Sequence, residues 1–324
     1  MSELLKSIDA RTKLAGTNKL EILLFYLGVD QRTGRRETYG INVFKVREVM
    51  RTPKITAAPE MPSSVEGMVS LRGALVPVID LAKYTGISAD TPREIMIVTE
   101  YNGHTQGFLV EGVDTILRLD WSKMRVPPDM LMAQTGGLVT AVTELEDARL
   151  VMMMDVEKVL AETTSIDSEL MFRSVVPIDR PDCTVFYCDD SSVARKQIER
   201  TLAAMGVKGV AAVNGRRMWD EMEKIAGYAQ AIGKPVSSII NLVLTDIEMP
   251  EMDGYILTKK IKSDPRFSGI PVIMHSSLSG MSNQKLGLSV GVDEYVPKFE
   301  PQRLSETLAR RLGVENSALD ALAN

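Results

Sequence analysis

Five short apolar runs, each followed by an amphipathic stretch, dominate the second half of this 324-residue chain: TVFYC, GVAAV, IINLVL, PVIMH and EYVP. IINLVL is nearly continuously apolar, which is how a parallel strand covered on both faces reads. Between the first two runs, SSVARKQIERTLAAMG places Ala194, Ile198, Leu202 and Met205 at helical spacing. Ser191 can cap that helix and Gly206 can stop it. Strand and helix in repeated alternation predict a parallel sheet with helices on both faces, an α/β domain.

The ends of the runs carry the chemistry. They close at Asp189-Asp190, at Asp246, at Ser276 and at Lys298. In an open parallel sheet these carboxyl ends gather on one edge, where ligands bind. Three carboxylates meeting there repel one another unless a cation lies among them, and a hard, oxygen-seeking ion such as Mg²⁺ suits them. With a hydroxyl and a lysine added, the edge holds what phosphoryl transfer needs. Taken singly each residue has a blander reading. A strand-terminal Asp is commonly a turn residue, Asp-Asp before Ser-Ser an N-cap, and a lone strand lysine a solvated one.

Taken in order, YCDDS, LTDIEMPEMDGY, PVIMHSS and GVDEYVPKF resemble the response-regulator receiver family, a flavodoxin-like fold with a five-stranded parallel sheet. The resemblance implies that Asp246 is the phosphoacceptor, assisted by Ser276 and Lys298. It makes Tyr295 the switch aromatic. It assigns Asp189, Asp190 and Asp246 to the metal, with Glu248 contributing its backbone carbonyl. The site is expected to be a surface cleft, and Tyr295 to swing from exposed to buried on phosphorylation. The chain departs from the family at Lys298-Phe299, where Lys-Pro is common, and residues 227–238 lengthen the connection after the second helix. A haloacid-dehalogenase-type phosphatase also uses a strand-end Asp nucleophile. That motif wants a second Asp two residues on, where this chain has Glu248.

The first half has another pattern. Short β-like runs alternate with turns, and Asn102-Gly103 between two alternating runs is a strong hairpin signal. Glu146-Asp147 makes a second hairpin, and Met152-Met153-Met154 reads as core packing in a terminal strand. No catalytic set occurs here, so this half reads as a binding module. YGINVFKVREVMRTPKITAAP, VEGMVSLRGALVPVIDL and VEGVDTILRL resemble the CheW coupling family. The resemblance implies an all-β pair of SH3-like barrels, with Val46, Glu48 and Arg72 at partner-binding positions. From residues alone, Val46 is equally a core residue, Glu48 a solvated charge and Arg72 a fork holding a turn carbonyl.

Composition narrows the remainder. The formal net charge is −5 and neither half is basic, which disfavours a nucleic-acid surface. No apolar run approaches a membrane span and the N-terminus lacks the apolar core of a signal peptide, so a cytoplasmic address is expected. Cys183 and Cys188 fall on opposite faces of one strand and read as core, while His104 and His275 lack partners at metal-ligand spacing.

The expected division is an N-terminal extension (1–17), a coupling domain (18–163), a linker (164–181), a receiver (182–314) and a C-terminal tail (315–324). A coupling module joined to a receiver resembles the CheV family. That likeness implies a non-enzymatic adaptor linking methyl-accepting chemoreceptors to the histidine kinase CheA, with CheW as a further partner. It implies recruitment to membrane receptor arrays without membrane insertion. Within signalling, the alternative is a receiver that drains phosphate from the kinase.

Overall fold

The computed structural model describes residues 19–163 and 172–313, apart from 58, 102–103 and 278–286. The expected extension and tail, residues 164–171 of the linker, Asn102-Gly103 and part of the stretch after PVIMH (278–286) lie outside the described residues. The chain forms two compact units, one within Lys19–Ser165 and one within Ile166–Asn324.

The described residues of the first unit form ten strands: β1 (Lys19–Tyr26), β2 (Thr38–Asn42), β3 (Val46–Arg51), β4 (Val65–Leu71), β5 (Ala74–Asp80), β6 (Ile95–Tyr101), β7 (His104–Val110), β8 (Gly112–Asp120), β9 (Val139–Glu144) and β10 (Leu150–Met154). They make two five-stranded sheets, ordered β8-β1-β2-β10-β9 and β3-β6-β7-β5-β4. The period-2 alternation of β1 explains why nearly all of it is buried. Leu20, Ile22 and Leu24 enter a core belonging to their own sheet, with Trp121, Val151 and Met153. Leu23 and Phe25 enter a second core, where they meet Ile79, Ile97 and Phe108 of the other sheet and Val156, Val159 and Leu160 of the helix Val156–Thr163. The other sheet keeps a core of its own around Val76, Val78, Met96 and Val98. Met153 and Met154 are core residues, as expected of that run.

Both expected hairpins form: Tyr101 pairs with His104, and β9 runs antiparallel to β10. Each sheet also has a backbone bridge joining its outer strands. The chain after β3 bonds to β4 through Thr56 and Met68, and the chain after β8 bonds to β9 through Arg125 and Val142.

The second unit contains β11 (Thr184–Cys188), β12 (Lys208–Ala212), β13 (Leu242–Thr245), β14 (Val272–Ser276) and β15 (Glu294–Pro297), ordered β12-β11-β13-β14-β15 with every pairing parallel. Apolar side chains cover both faces. Val185, Tyr187, Leu244 and Val296 pack with helices Ser192–Met205 and Pro301–Arg311. Phe186, Cys188 and Val243 pack with helices Gly215–Ala231 and Gly254–Ser263. Cys183 and Cys188 fall in these two different cores, as their spacing requires.

Two segments differ from the sequence reading. The helix Gly215–Ala231 absorbs the start of 227–238, because Ala226 and Ala229 continue its buried stripe; the exposed connection is correspondingly shorter. The described end of the expected linker is not free chain. Phe172, Val175 and Ile178 pack on the receiver core, and the amides of Ile178 and Asp179 donate to the Met205 carbonyl at 3.0 and 2.9 Å.

Candidate functional site

The strand ends of the second unit converge as their order requires. Asp246, one residue beyond β13, accepts a hydrogen bond on Oδ1 from the Ile247 amide at 2.7 Å. Its own amide donates to the Cys188 carbonyl at 2.9 Å, and Thr245 Oγ1 donates to its carbonyl at 2.8 Å. The backbone beneath the acceptor is therefore fixed on two sides. Gly254 is required there, since a Cβ on it would lie 2.0 Å from the Asp246 carbonyl oxygen.

Asp189, Asp190 and Asp246 each offer a carboxylate oxygen, and these oxygens lie within 4.8 Å of one another. Lys298 Nζ lies 2.8 Å from Asp189 Oδ2 and 3.2 Å from Asp246 Oδ2. Three negative charges against one positive leave two uncompensated, the charge of a divalent cation, and the donors are all hard oxygens. The residues present fit such an ion. Asp189, Asp246, Ser276 and Lys298 are buried, and Asp190 is half-buried. The expected surface-cleft lysine is thus a buried one at 2% exposure, because its ammonium is held between two carboxylates.

Ser276 ends β14, and its carbonyl accepts from the Lys298 amide at 3.2 Å. Its hydroxyl shares a hydrogen bond with that of Tyr295, which is turned inward and half-buried. Burial pushes the Tyr295 phenol above its ordinary value, and the Asp246 and Glu248 carboxylates push the same way against the Ser276 bond. Tyr255 is buried beside it, in a cluster with Ile247, Met274 and Val292. Phe299 occupies the left-handed region (φ 63°), and no cis peptide occurs among the described residues.

Sequence reasoning passed over Arg195, whose Nη1 donates to the carbonyls of Asp189 at 2.6 Å and Asp190 at 2.9 Å. Its position just inside a helix that starts behind the acidic pair was the available signal, since helical side chains point toward the N-terminus.

In the first unit, Glu48 and Arg72 meet: Arg72 Nη2 lies 3.1 Å from Glu48 Oε2. Arg72 and Gly73 form the two-residue loop between β4 and β5, with φ of 51° and 85°. Left-handed geometry at both positions is what a tight hairpin demands. The loop lifts the arginine to 70% side-chain exposure. Leu75 beside it is 74% exposed, an apolar residue with no place in the core. Val46 differs from its expected place at a contact surface. The ladder with β6 shifts register between Val46 and Glu48, so the two side chains do not share a face, and Val46 is buried in the core.

The fold and these sites define a two-domain protein, a β module carrying an exposed charged hairpin and an α/β module with an acidic, lysine-bridged cluster at its strand ends. A CheW-like domain model matches residues 22–164, and a response regulator receiver domain model matches residues 185–309. The chain is 29% identical to chemotaxis protein CheV3 of Helicobacter pylori, over 91% of this chain and 95% of that one. It is 32% identical to chemotaxis protein CheW of Klebsiella aerogenes over 46% of this chain and 87% of the relative. It is 35% identical to chemotaxis protein CheY1 of Helicobacter pylori over 40% and 95%. The chain belongs to the CheW-like and response-regulator receiver families, joined in one polypeptide as in the CheV proteins it resembles along most of its length.

Proposed function

We propose that this protein is a chemotaxis coupling adaptor in which phosphorylation of Asp246 regulates a bridge between chemoreceptors and the histidine kinase CheA. The observation that carries the reading is the buried Lys298 ammonium between Asp189 and Asp246, in a chain whose other half is CheW-like. It acts as a phosphoacceptor scaffold, and its own receiver residues carry out the transfer.

In that transfer an Asp246 carboxylate oxygen forms a bond to phosphorus as the bond from phosphorus to the donor histidine nitrogen breaks, and the imidazole leaves with a proton. Asp189, Asp190, Asp246 and the Glu248 carbonyl would hold Mg²⁺, which when bound would supply charge neutralisation of the phosphoryl oxygens. Lys298 supplies a second positive charge and Ser276 a hydrogen bond. Ser276 and Tyr295, already hydrogen-bonded, form the relay by which phosphorylation is read: a new bond from Ser276 to the phosphoryl group favours the inward tyrosine.

The backbone bridges at Thr56–Met68 and Arg125–Val142 support reading the two β sheets as closed, SH3-like barrels. Glu48, Arg72 and Leu75 form the partner-facing surface for receptor tips, CheA or CheW. This surface recruits the protein to receptor arrays at the membrane from the cytoplasm; among the described residues no helix is long and apolar enough to cross a membrane.

The test is CheA activity in reconstituted receptor arrays, with native protein and with Asp246→Asn. Phosphodonor is expected to change kinase activity through the native protein and to have no such effect through the variant. Equal responses from both would overturn the regulatory role of Asp246.

A further inference from the structure

In a strand, consecutive side chains point to opposite faces. Asp189 and Asp190 follow β11 directly, yet both bring a carboxylate oxygen into one cluster with Asp246. Something must hold the chain out of strand geometry at this point. Consecutive carbonyls of a strand also alternate, whereas those of Asp189 and Asp190 converge on one atom, Arg195 Nη1, at 2.6 and 2.9 Å. A second tie assists, as the Ser191 amide donates to Asp189 Oδ1 at 2.9 Å. The helix supporting Arg195 is well anchored. Ser191 caps it by accepting from the Ala194 amide, and Ala194 and Ile198 on either side of the arginine are buried.

We propose that Arg195 is a positioning residue for the metal site, fastening the carbonyls of Asp189 and Asp190 so that both carboxylates face the cation. This rests on reading the acidic cluster as a Mg²⁺ site. The direction of a carbonyl and that of its own side chain are coupled through the backbone torsions, so holding two successive carbonyls limits where two successive carboxylates can aim. Because this guanidinium nitrogen bonds carbonyls, it orders the cluster without occupying the carboxylate oxygens the cation needs. Residues that orient ligands in this way typically change metal affinity by about 10–100-fold when removed.

The sign of the effect separates positioning from simple charge. If Arg195 acted only as a nearby cation, its removal would tighten Mg²⁺ binding. The clamp predicts weaker binding. The experiment is isothermal titration of full-length protein with MgCl₂, comparing native, Arg195→Met and Arg195→Lys, with melting in EDTA as the control for folding. Arg195→Met is expected to bind Mg²⁺ about tenfold or more weakly while melting near the native temperature. Arg195→Lys keeps the charge, but its ammonium ends one bond nearer the backbone than Nη1 and falls short of the two carbonyls, so it too is expected to bind more weakly. Unchanged or tighter binding in Arg195→Met overturns the proposal. Should that variant not fold, native affinity in Arg195→Lys overturns it. Asp190→Asn marks the other failure: if native and Asp190→Asn bind Mg²⁺ equally, the metal-site reading falls and the clamp with it.

Discussion

Lys298 and Asp246 meet at 3.2 Å across the end of β14, from strands that are not neighbours in the sheet. Asp189, 2.8 Å from the same ammonium, completes a buried triad whose charge does not balance. We predict that Lys298→Ala destabilises the receiver, because it leaves buried carboxylates facing one another. Removing one partner of such a pair costs about 3–5 kcal/mol. Mg²⁺ is expected to restore part of the loss, so the variant's melting temperature should respond to MgCl₂ more than the native one. A melt like the native in EDTA would show that the lysine carries little of the balance.

Phosphoryl transfer to Asp246 gives a second prediction. Radiolabel from phosphorylated CheA is expected on native protein in the presence of Mg²⁺, and to be absent from Asp246→Asn. Undiminished labelling of that variant would place the acceptor elsewhere.

The Glu48–Arg72 pair is largely exposed on the arginine side, so its contribution to stability is at most about 1 kcal/mol. In the proposed function it presents a planar, multi-donor head from the tight turn between β4 and β5. Arg72→Asn is expected to keep the hairpin, since Asn tolerates left-handed geometry, while weakening binding to receptor or kinase. Arg72→Lys should not recover the lost affinity. Melting and pull-down together check this: loss of melting temperature and binding in parallel would mean the arginine is structural.

Alkaline stability supplies a fourth. Burial raises the phenols of Tyr255 and Tyr295 above the ordinary value of 10.0, with neighbouring carboxylates adding to it. Between the unfolded and the folded value the native state holds more protons, so stability falls as pH rises. Their contribution is complete below pH 10 and is lost above it. Urea midpoints measured from about pH 8 to about pH 11 are expected to drop beyond 10, and to drop less in the Tyr255→Phe/Tyr295→Phe double variant. An identical drop in both proteins would assign the alkaline loss to other groups.

Much of the receiver was legible before the structure because its signals are local. Ser191 and Gly206 do bound the first helix, with Gly206 at a φ of 72°, and a helix, Gly254–Ser263, follows the third apolar run as the alternation requires. The strand-end acids, serine and lysine stand at one edge because parallel order forces carboxyl ends together. The β module was less legible. Val46 and Glu48 share a face by spacing alone, and only the register shift against β6 separates one into the core and leaves the other at the surface.

By itself the sequence determined the element types, the hairpins and the residues that end the receiver strands, because periodicity, caps and turn chemistry act over a few residues. Tertiary structure alone decided the burial of Lys298, the meeting of Glu48 with Arg72, the docking of Phe172, Val175 and Ile178, and the bending of two carbonyls onto Arg195. The first three pair groups far apart along the chain, and their energies depend on distance, exposure and register. The last had a local signal in the place of Arg195 in the first helical turn, but spacing does not say which oxygens the side chain reaches once the helix has formed.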